Sequence, residues 1–335
     1  DCKYKIDVNV NETDFFRIQG GVGYGTSSGP RASLESSYAN LFGVGHNLTL
    51  RGNVSLKNQK IESIYYTPWF FGLPVQFNGT LYLNRHSDST TYYGVFRGLK
   101  LALGRSTSYN MLYQAWFNWE GGSFQYLRDT IGVASPEIPV KSFGVGLTYD
   151  TRNDFLNPET GIYNLFQAEV SGLIPNSSKF IKFTDDFRFL WKMRSLSFGT
   201  GLKLGWIRPY GGTTGLQAQE LFYAGGARSV RGFKENLLRS DTSGGSFMAT
   251  ANILEVRFPL FWWFHGAVFA DCGYVWNTTI DKSEKISFND IRWTAGPGLR
   301  LNTPIAVVRL DMGFKLDRRA GEGLFEFHFD LGQVF

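Results

Sequence analysis

The sequence predicts an all-β fold, an antiparallel β-barrel of sixteen transmembrane strands, and three observations carry that prediction. Hydrophobicity alternates with period two through almost the whole chain, as it must where successive side chains point to opposite faces of a sheet. The alternating segments are about ten residues long and even in number, with Trp and Tyr near their ends, as in barrels that cross an outer membrane. Aromatics reach 16% of 335 residues, with 30 Phe beside 39 Gly, a pairing that suits strands and tight turns better than a soluble mixed fold.

Taken in order, the first eight segments are Asp14–Gly25, Arg31–Leu41, His46–Lys57, Lys60–Phe70, Pro74–Asn84, Thr91–Leu103, Tyr109–Trp119 and Lys141–Thr151. The second eight are Gly161–Gly172, Lys179–Lys192, Ser195–Ile207, Ser246–Phe258, His265–Trp276, Asp290–Leu301, Pro304–Leu316 and Gly323–Phe335. The alternation is cleanest at the end. In the last segment Phe325, Phe327, Phe329, Leu331 and Phe335 share one face, and Glu326, His328, Asp330 and Gly332 share the other. In the segment before it, Val308, Leu310, Met312 and Phe314 oppose Arg309, Asp311 and Lys315. A soluble sandwich would turn the polar face to open solvent and has no need of strands this long, whereas a barrel presents the apolar face to lipid and the small or charged face to its lumen.

Composition removes several other classes. Lys plus Arg number 34 against 29 Asp plus Glu, for a net charge of +5, and the charges are scattered without the basic cluster that nucleic acid requires. No apolar run approaches the ~18 residues of a membrane helix; the best, "FPLFWWF" at Phe258–Phe264, contains Pro259. Cys2 and Cys272 are too few for a disulfide framework. The opening "DCKYKIDVNV" lacks a charged start and apolar core, so the chain reads as beginning partway through a longer protein.

No catalytic, metal or cofactor site emerges. "GTSSG" at Gly25–Gly29 has nucleophile-elbow spacing but joins two strands, where that motif needs a strand-to-helix turn. "DTRND" at Asp150–Asp154 has Arg152 where a cation loop needs a ligand, so it reads as a strand-end turn. The His residues at 46, 86, 265 and 328 share no ligand spacing.

The one segment with unexplained chemistry is "YAGGARSVRGF", Tyr223–Phe233, within the longest connection, roughly Arg208–Gly245. Strand parity places Asp271 opposite Val268, Ala270 and Cys272, and Glu255 opposite Leu254 and Val256, so both carboxylates face the lumen from adjacent strands. If the loop folds inward, Arg228 and Arg231 supply the cation they need, as a guanidinium can fork onto both.

"GGARSVRGF" resembles the loop signature of the BamA/TamA superfamily of outer-membrane assembly factors, and other stretches match in family order. These are "YDTRNDFLNPETG" at Tyr149–Gly161, "GAVFADCGYVW" at Gly266–Trp276, "GPGLRLNTPIAVVRLDMGF" at Gly296–Phe314, and a final strand ending in Phe335. The compact loops and barrel length resemble the TamA side slightly more. The resemblance implies a bacterial-type outer membrane and a sixteen-stranded barrel over residues 14–335, preceded by periplasmic POTRA domains of which residues 1–13 would be the end and linker. It implies that Arg228, Val230, Arg231, Gly232 and Phe233 form a lumenal loop signature, with Arg231 on Glu255 and Asp271. The implied partners are unfolded outer-membrane protein clients, membrane lipid, and an accessory protein of the periplasm or inner membrane reached through the POTRA domains.

A factor that inserts barrel clients, without nucleotide or covalent step, needs a sheet edge that can open, and a closed barrel has none. The expected seam lies between the first strand, with Gly20, Gly21, Gly23 and Gly25, and the last, with Gly332 and Phe335, because glycine weakens strands and loosens register. The alternative reading is a two-partner secretion transporter that exports one dedicated partner through the lumen. A diffusion porin is disfavoured by an inward-folded loop, and an adhesive surface protein by the short loops.

Overall fold

The computed structural model describes residues 14–87, 92–126, 139–155, 157–213, 215–239, 244–278, 284–303 and 307–331. Its strands are β1 (Phe16–Gly25), β2 (Gly29–Leu41), β3 (His46–Ser55), β4 (Asn58–Thr67), β5 (Gln76–Ser87), β6 (Tyr92–Ser108), β7 (Met111–Tyr126) and β8 (Val140–Asp150). They continue as β9 (Gly161–Ser171), β10 (Phe180–Met193), β11 (Leu196–Pro209), β12 (Phe247–Phe261), β13 (Phe264–Trp276), β14 (Arg292–Asn302), β15 (Val307–Lys315) and β16 (Phe325–Leu331). All sixteen lie in one sheet in chain order, each antiparallel to the next, the all-β barrel that the alternation predicts. No helix is long and apolar enough to cross a membrane; the crossing is by strands.

Residue parity sorts the two faces of this cylinder. Val22, Leu34, Leu50, Leu81, Val145 and Val268 point out and are exposed, while Glu62, Arg257, Asp271, Arg300, Arg309 and Asp311 point in and are buried. Exposed apolar side chains over a buried polar interior invert the soluble pattern, because the outer face meets hydrocarbon instead of water. One end of the barrel, here the outer end, carries the long connection between β11 and β12; the other, inner end carries the short turns and residue 14.

The structure departs from simple alternation in two informative places. β6 and β7 run 17 and 16 residues, well past the predicted end at Leu103, and Tyr109 falls in their turn. The polar tail "GRSTS" continues because β7 still pairs with it from Gly104 to Ser108, which satisfies backbone groups whatever the side chains are. In β12 a bulge sets Ile253 and Leu254 against the single Thr200 of β11, and the register with β13 skips from Asn252 to Leu254. Both bulged residues face outward and are exposed, so Asn252 and Glu255 both face inward although they are three positions apart. Residues 1–13, with the expected end of a POTRA domain, and Gly332 and Phe335 of the expected seam, lie outside the described residues.

Candidate functional site

The connection after β11 folds into the lumen, and glycine lets it turn there. Gly225, Gly226 and Gly232 have φ of +108°, +98° and +107°, values that residues with a Cβ rarely adopt. The amide of Gly226 donates to the Phe233 carbonyl at 3.0 Å and that of Ser229 to Gly226 at 3.2 Å, closing the tip on itself. At Gly232 the tip backbone presses on β15: a Cβ built on Gly313 would stand 2.4 Å from the Gly232 nitrogen. Neither position has room for a side chain.

Arg231, at the apex, is completely buried. Its Nε and Nη2 donate to the two oxygens of Asp271 at 2.7 and 2.8 Å, its backbone amide donates to Oδ2 at 3.1 Å, and Nη1 donates to Glu255 at 2.5 Å. The guanidinium carbon lies 3.5 Å from the ring centre of Phe269, adding a cation–π contact. Asn252, brought inward by the bulge, donates to Asp271 at 3.0 Å and to the Ser229 carbonyl at 3.1 Å.

The network reaches further than these three side chains. Arg300 of β14 donates to Asp311 at 2.6 Å and to Glu255 at 3.2 Å. Asp311 also lies 3.3 Å from Arg309 and 3.7 Å from Arg231, and Arg309 donates to the Ala227 carbonyl at 2.8 Å. Three arginines and three carboxylates thus neutralise one another in a dry interior. Such a cluster adds little over a well-packed apolar core, but removing one member strands a buried charge at a cost of about 3–5 kcal/mol. Its geometry therefore specifies one loop position.

The rest of the signature is divided between packing and the seam. Val230 and Phe233 join Ala224, Leu238 and Val275 in an apolar cluster, with Arg292 and Lys315 over the Phe233 ring at 4.8 and 5.0 Å. The Gly232 amide donates to Nε2 of His328 on β16 at 3.3 Å. Arg228 turns to the same strand, donating to Asp330 at 2.7 Å and to the Leu331 carbonyl at 3.4 Å. The stem of the loop stands on the opposite wall. A 3-10 turn at Ala218–Glu220 places Ala218 against Phe96, and Lys182 donates to Glu220 at 3.0 Å. The loop is a strut across the lumen.

β1 is paired with β2 along its full length, Phe16↔Tyr38 to Gly25↔Gly29. Among the described residues no ladder joins it to β16. Among these residues the junction is a few contacts between the outer end of β1 and Phe329 of β16: the Thr26 amide donates to the Phe329 carbonyl at 3.0 Å, the Phe329 amide donates to Thr26 Oγ1 at 3.4 Å, and the Tyr24 and Phe329 rings lie 5.8 Å apart. Arg31 of β2 reaches Asp330 at 3.5 Å. Gly21, Gly23 and Gly25 face the lumen, where a Cβ on Gly23 would meet Arg31 at 2.9 Å and one on Gly25 would meet Asp330 at 3.2 Å; Gly20 faces out.

Parity arguments brought Arg231, Glu255 and Asp271 to one place but missed Arg300, Asp311, Arg309 and Asn252. The first three were visible as the charged faces of β14 and β15, with nothing in the sequence to say which charges meet. Asn252 depends on the bulge, which leaves no compositional mark. "GTSSG" spans the β1–β2 turn, and "DTRND" is a turn closed by Arg152 on Asp150 at 2.8 Å and by Asn153 accepting from the Glu159 and Thr160 amides. Among the described residues no group of three or more His, Cys, Asp or Glu could hold a metal ion.

Comparison with known proteins places this geometry in a family. Residues 40–335 match the Omp85 superfamily domain. The outer-membrane protein assembly factor BamA of Nitratidesulfovibrio vulgaris is 23% identical over 98% of this chain, which spans 43% of that protein, less than half its length. Among solved structures, BamA from Haemophilus ducreyi lacking POTRA domains 1–3 superposes with a TM-score of 0.85 at 20% identity, over 96% of this chain and 70% of that one. CdiB from Acinetobacter baumannii gives 0.60 at 15% identity, over 95% of this chain and 59% of its own. At these identities the structural likeness is one of fold. The match over nearly the whole barrel establishes that the chain belongs to the Omp85 superfamily and is a β-barrel of the bacterial outer membrane.

Proposed function

We propose that this barrel is the membrane domain of an outer-membrane protein assembly factor, and that it inserts and folds β-barrel or autotransporter clients through the β1–β16 seam. The observation that carries the reading is the contrast at that seam: β1 offers an edge free of ladder pairing among the described residues, while β12–β16 hold the loop in a buried ionic lock. A client strand pairing with β1 would satisfy its backbone groups by β-augmentation. It would thereby avoid exposing unpaired amides to lipid, at several kcal/mol per group.

The reading covers assembly factors as a group, BamA and TamA alike, and requires no covalent chemistry. Unfolded clients, and accessory proteins met through POTRA domains, are the partners it supplies. The rival is a two-partner secretion transporter, for which the loop strut would have to leave the lumen to let a partner through. The test uses the full-length protein in liposomes, with Cys2 and Cys272 replaced and cysteines introduced at Tyr24 and Phe329. Faster folding of an added unfolded barrel protein, abolished when the new cysteines are oxidised, supports insertion at the seam. Folding that is equally fast with the seam locked would sink it.

A further inference from the structure

The connection between β8 and β9 takes no part in the loop lock, yet its residues Asn157, Pro158 and Glu159 reach the inner ends of β10–β12. Where they meet those strands and the inner ends of β13 and β14 lies a polar cavity of about 230 Å³, directly beneath the lock, with Arg257, Arg300 and Arg194 in its lining.

Arg257, lumenal on β12 two positions from Glu255, is 5% exposed. Its Nη2 donates to the Pro158 carbonyl at 2.7 Å and its Nη1 to Asn157 Oδ1 at 3.4 Å, both neutral acceptors, while its Nε has no hydrogen-bond partner among the described residues. No carboxylate of the described residues forms an ion pair with it. Glu255 is taken by Arg231 and Arg300, and Glu159 by Lys192 at 2.5 Å. A buried guanidinium without a counter-charge is costly, and protein interiors ordinarily supply one. Arg300 is fully buried, and its Nε likewise has no partner among the described residues.

The third cation comes from the β10–β11 turn. Arg194 has φ +54°, a backbone that Gly or Asn adopts more readily, is exposed, and makes no ion pair among the described residues. Backbone strain of this kind gathers at ligand sites.

We propose that this cavity is a binding site for a small oxyanion, a carboxylate or a phosphate, which enters from the inner end of the barrel and is held by Arg257, Arg300 and Arg194. Planar guanidiniums fork onto either group, and the volume suits a small molecule better than a segment of folded chain. The ligand supplies the counter-charge that Arg257 lacks. Because Arg300 also donates to Asp311 and Glu255, the bound anion braces from below the wall that anchors the loop. The site is independent of the seam and of the route that clients take.

The test titrates inorganic phosphate and succinate separately into the full-length protein in vesicles by calorimetry, near neutral pH, with chloride holding the ionic strength constant so that screening stays fixed. Saturable binding of at least one anion is expected, and the one that binds identifies the head group. Arg257→Gln should weaken it by about tenfold or more, as expected for the loss of a charge-assisted fork. Arg194→Gln, on an exposed turn, should weaken it by a smaller factor. No saturable binding of either anion, or an affinity unchanged in Arg257→Gln, would overturn the proposal. Should Arg257→Gln not fold, an affinity unchanged in Arg194→Gln would overturn it instead.

Discussion

Across the seam, β16 presents Asp330, a buried carboxylate held by Arg228 and approached by Arg309 and Arg31, whereas β1 presents a lumenal face of Gly21, Gly23 and Gly25. The contrast extends into the walls behind them. Behind β16, from β12 to β15, the ion pairs of Arg231, Arg300, Glu255 and Asp271 are wholly removed from water. Behind β1, the lumenal charges of β2–β4 pair as Arg51 with Glu35 and Glu62 and Lys60 with Glu62, the Arg51 and Lys60 side chains being 38% and 33% exposed. One wall is a rigid anchorage for the loop and the other a hydrated, lightly tied sheet. A gate needs such inequality, since opening draws on the segments of lowest local stability.

The largest effect should come from Arg231→Ala, which leaves Glu255 and Asp271 buried without their fork. A loss of about 3–5 kcal/mol of local stability is expected, measured as faster proteolysis of the loop around 223–233. Arg231→Lys should recover part of it, because a lysine keeps the charge but cannot bond both carboxylates in one plane. Wild-type protease resistance in Arg231→Ala would erase the difference between the walls.

Next in size is Asp330→Asn. It weakens the Arg31 and Arg228 contacts at the seam, at about 1 kcal/mol for partly exposed pairs. Cysteines at Tyr24 and Phe329 should then oxidise more slowly, since the seam spends more time apart. An unchanged rate would assign Asp330 to loop anchoring alone.

A pH effect should appear at the outer loop between β15 and β16. Glu322 accepts two hydrogen bonds from Arg292, at 2.7 and 2.9 Å, and one from the Arg319 amide. The Arg292 bonds are the main reason its carboxyl is held down at about 2. The folded state therefore binds the proton more weakly than an unfolded Glu near ~4.3. Its contribution is complete above that value and is lost as the pH falls toward 2. Amide exchange in residues 316–324 should quicken over that range, and Glu322→Gln should flatten the dependence. Smallest of all, Arg51→Ala should change stability by no more than about 1 kcal/mol, as for exposed pairs generally, in a urea titration of the vesicle-bound protein.

The legible part of this protein was whatever repeats along the strand. Alternation over β15 and β16 sorted Arg309, Asp311, His328 and Asp330 to one face, and the same parity turned Glu255 and Asp271 inward. The number of strands followed from counting. Less legible was anything set by register between strands: that Arg300 shares Glu255 with Arg231, or that the bulge at Ile253 carries Asn252 to Asp271, follows from how β12, β13 and β14 are offset.

By itself, then, the sequence determined the class of fold, the two faces of its wall and the charged residues that must find partners inside, because these follow from a two-residue period and the exclusion of charge from lipid. Only the tertiary structure decided which charges meet, that the loop braces both walls, and that, among the described residues, the outer end of β1 is what touches β16. Those outcomes depend on strand offset and on the path of a long loop through the lumen. Both are distances between residues tens or hundreds of positions apart, on which local alternation carries no information.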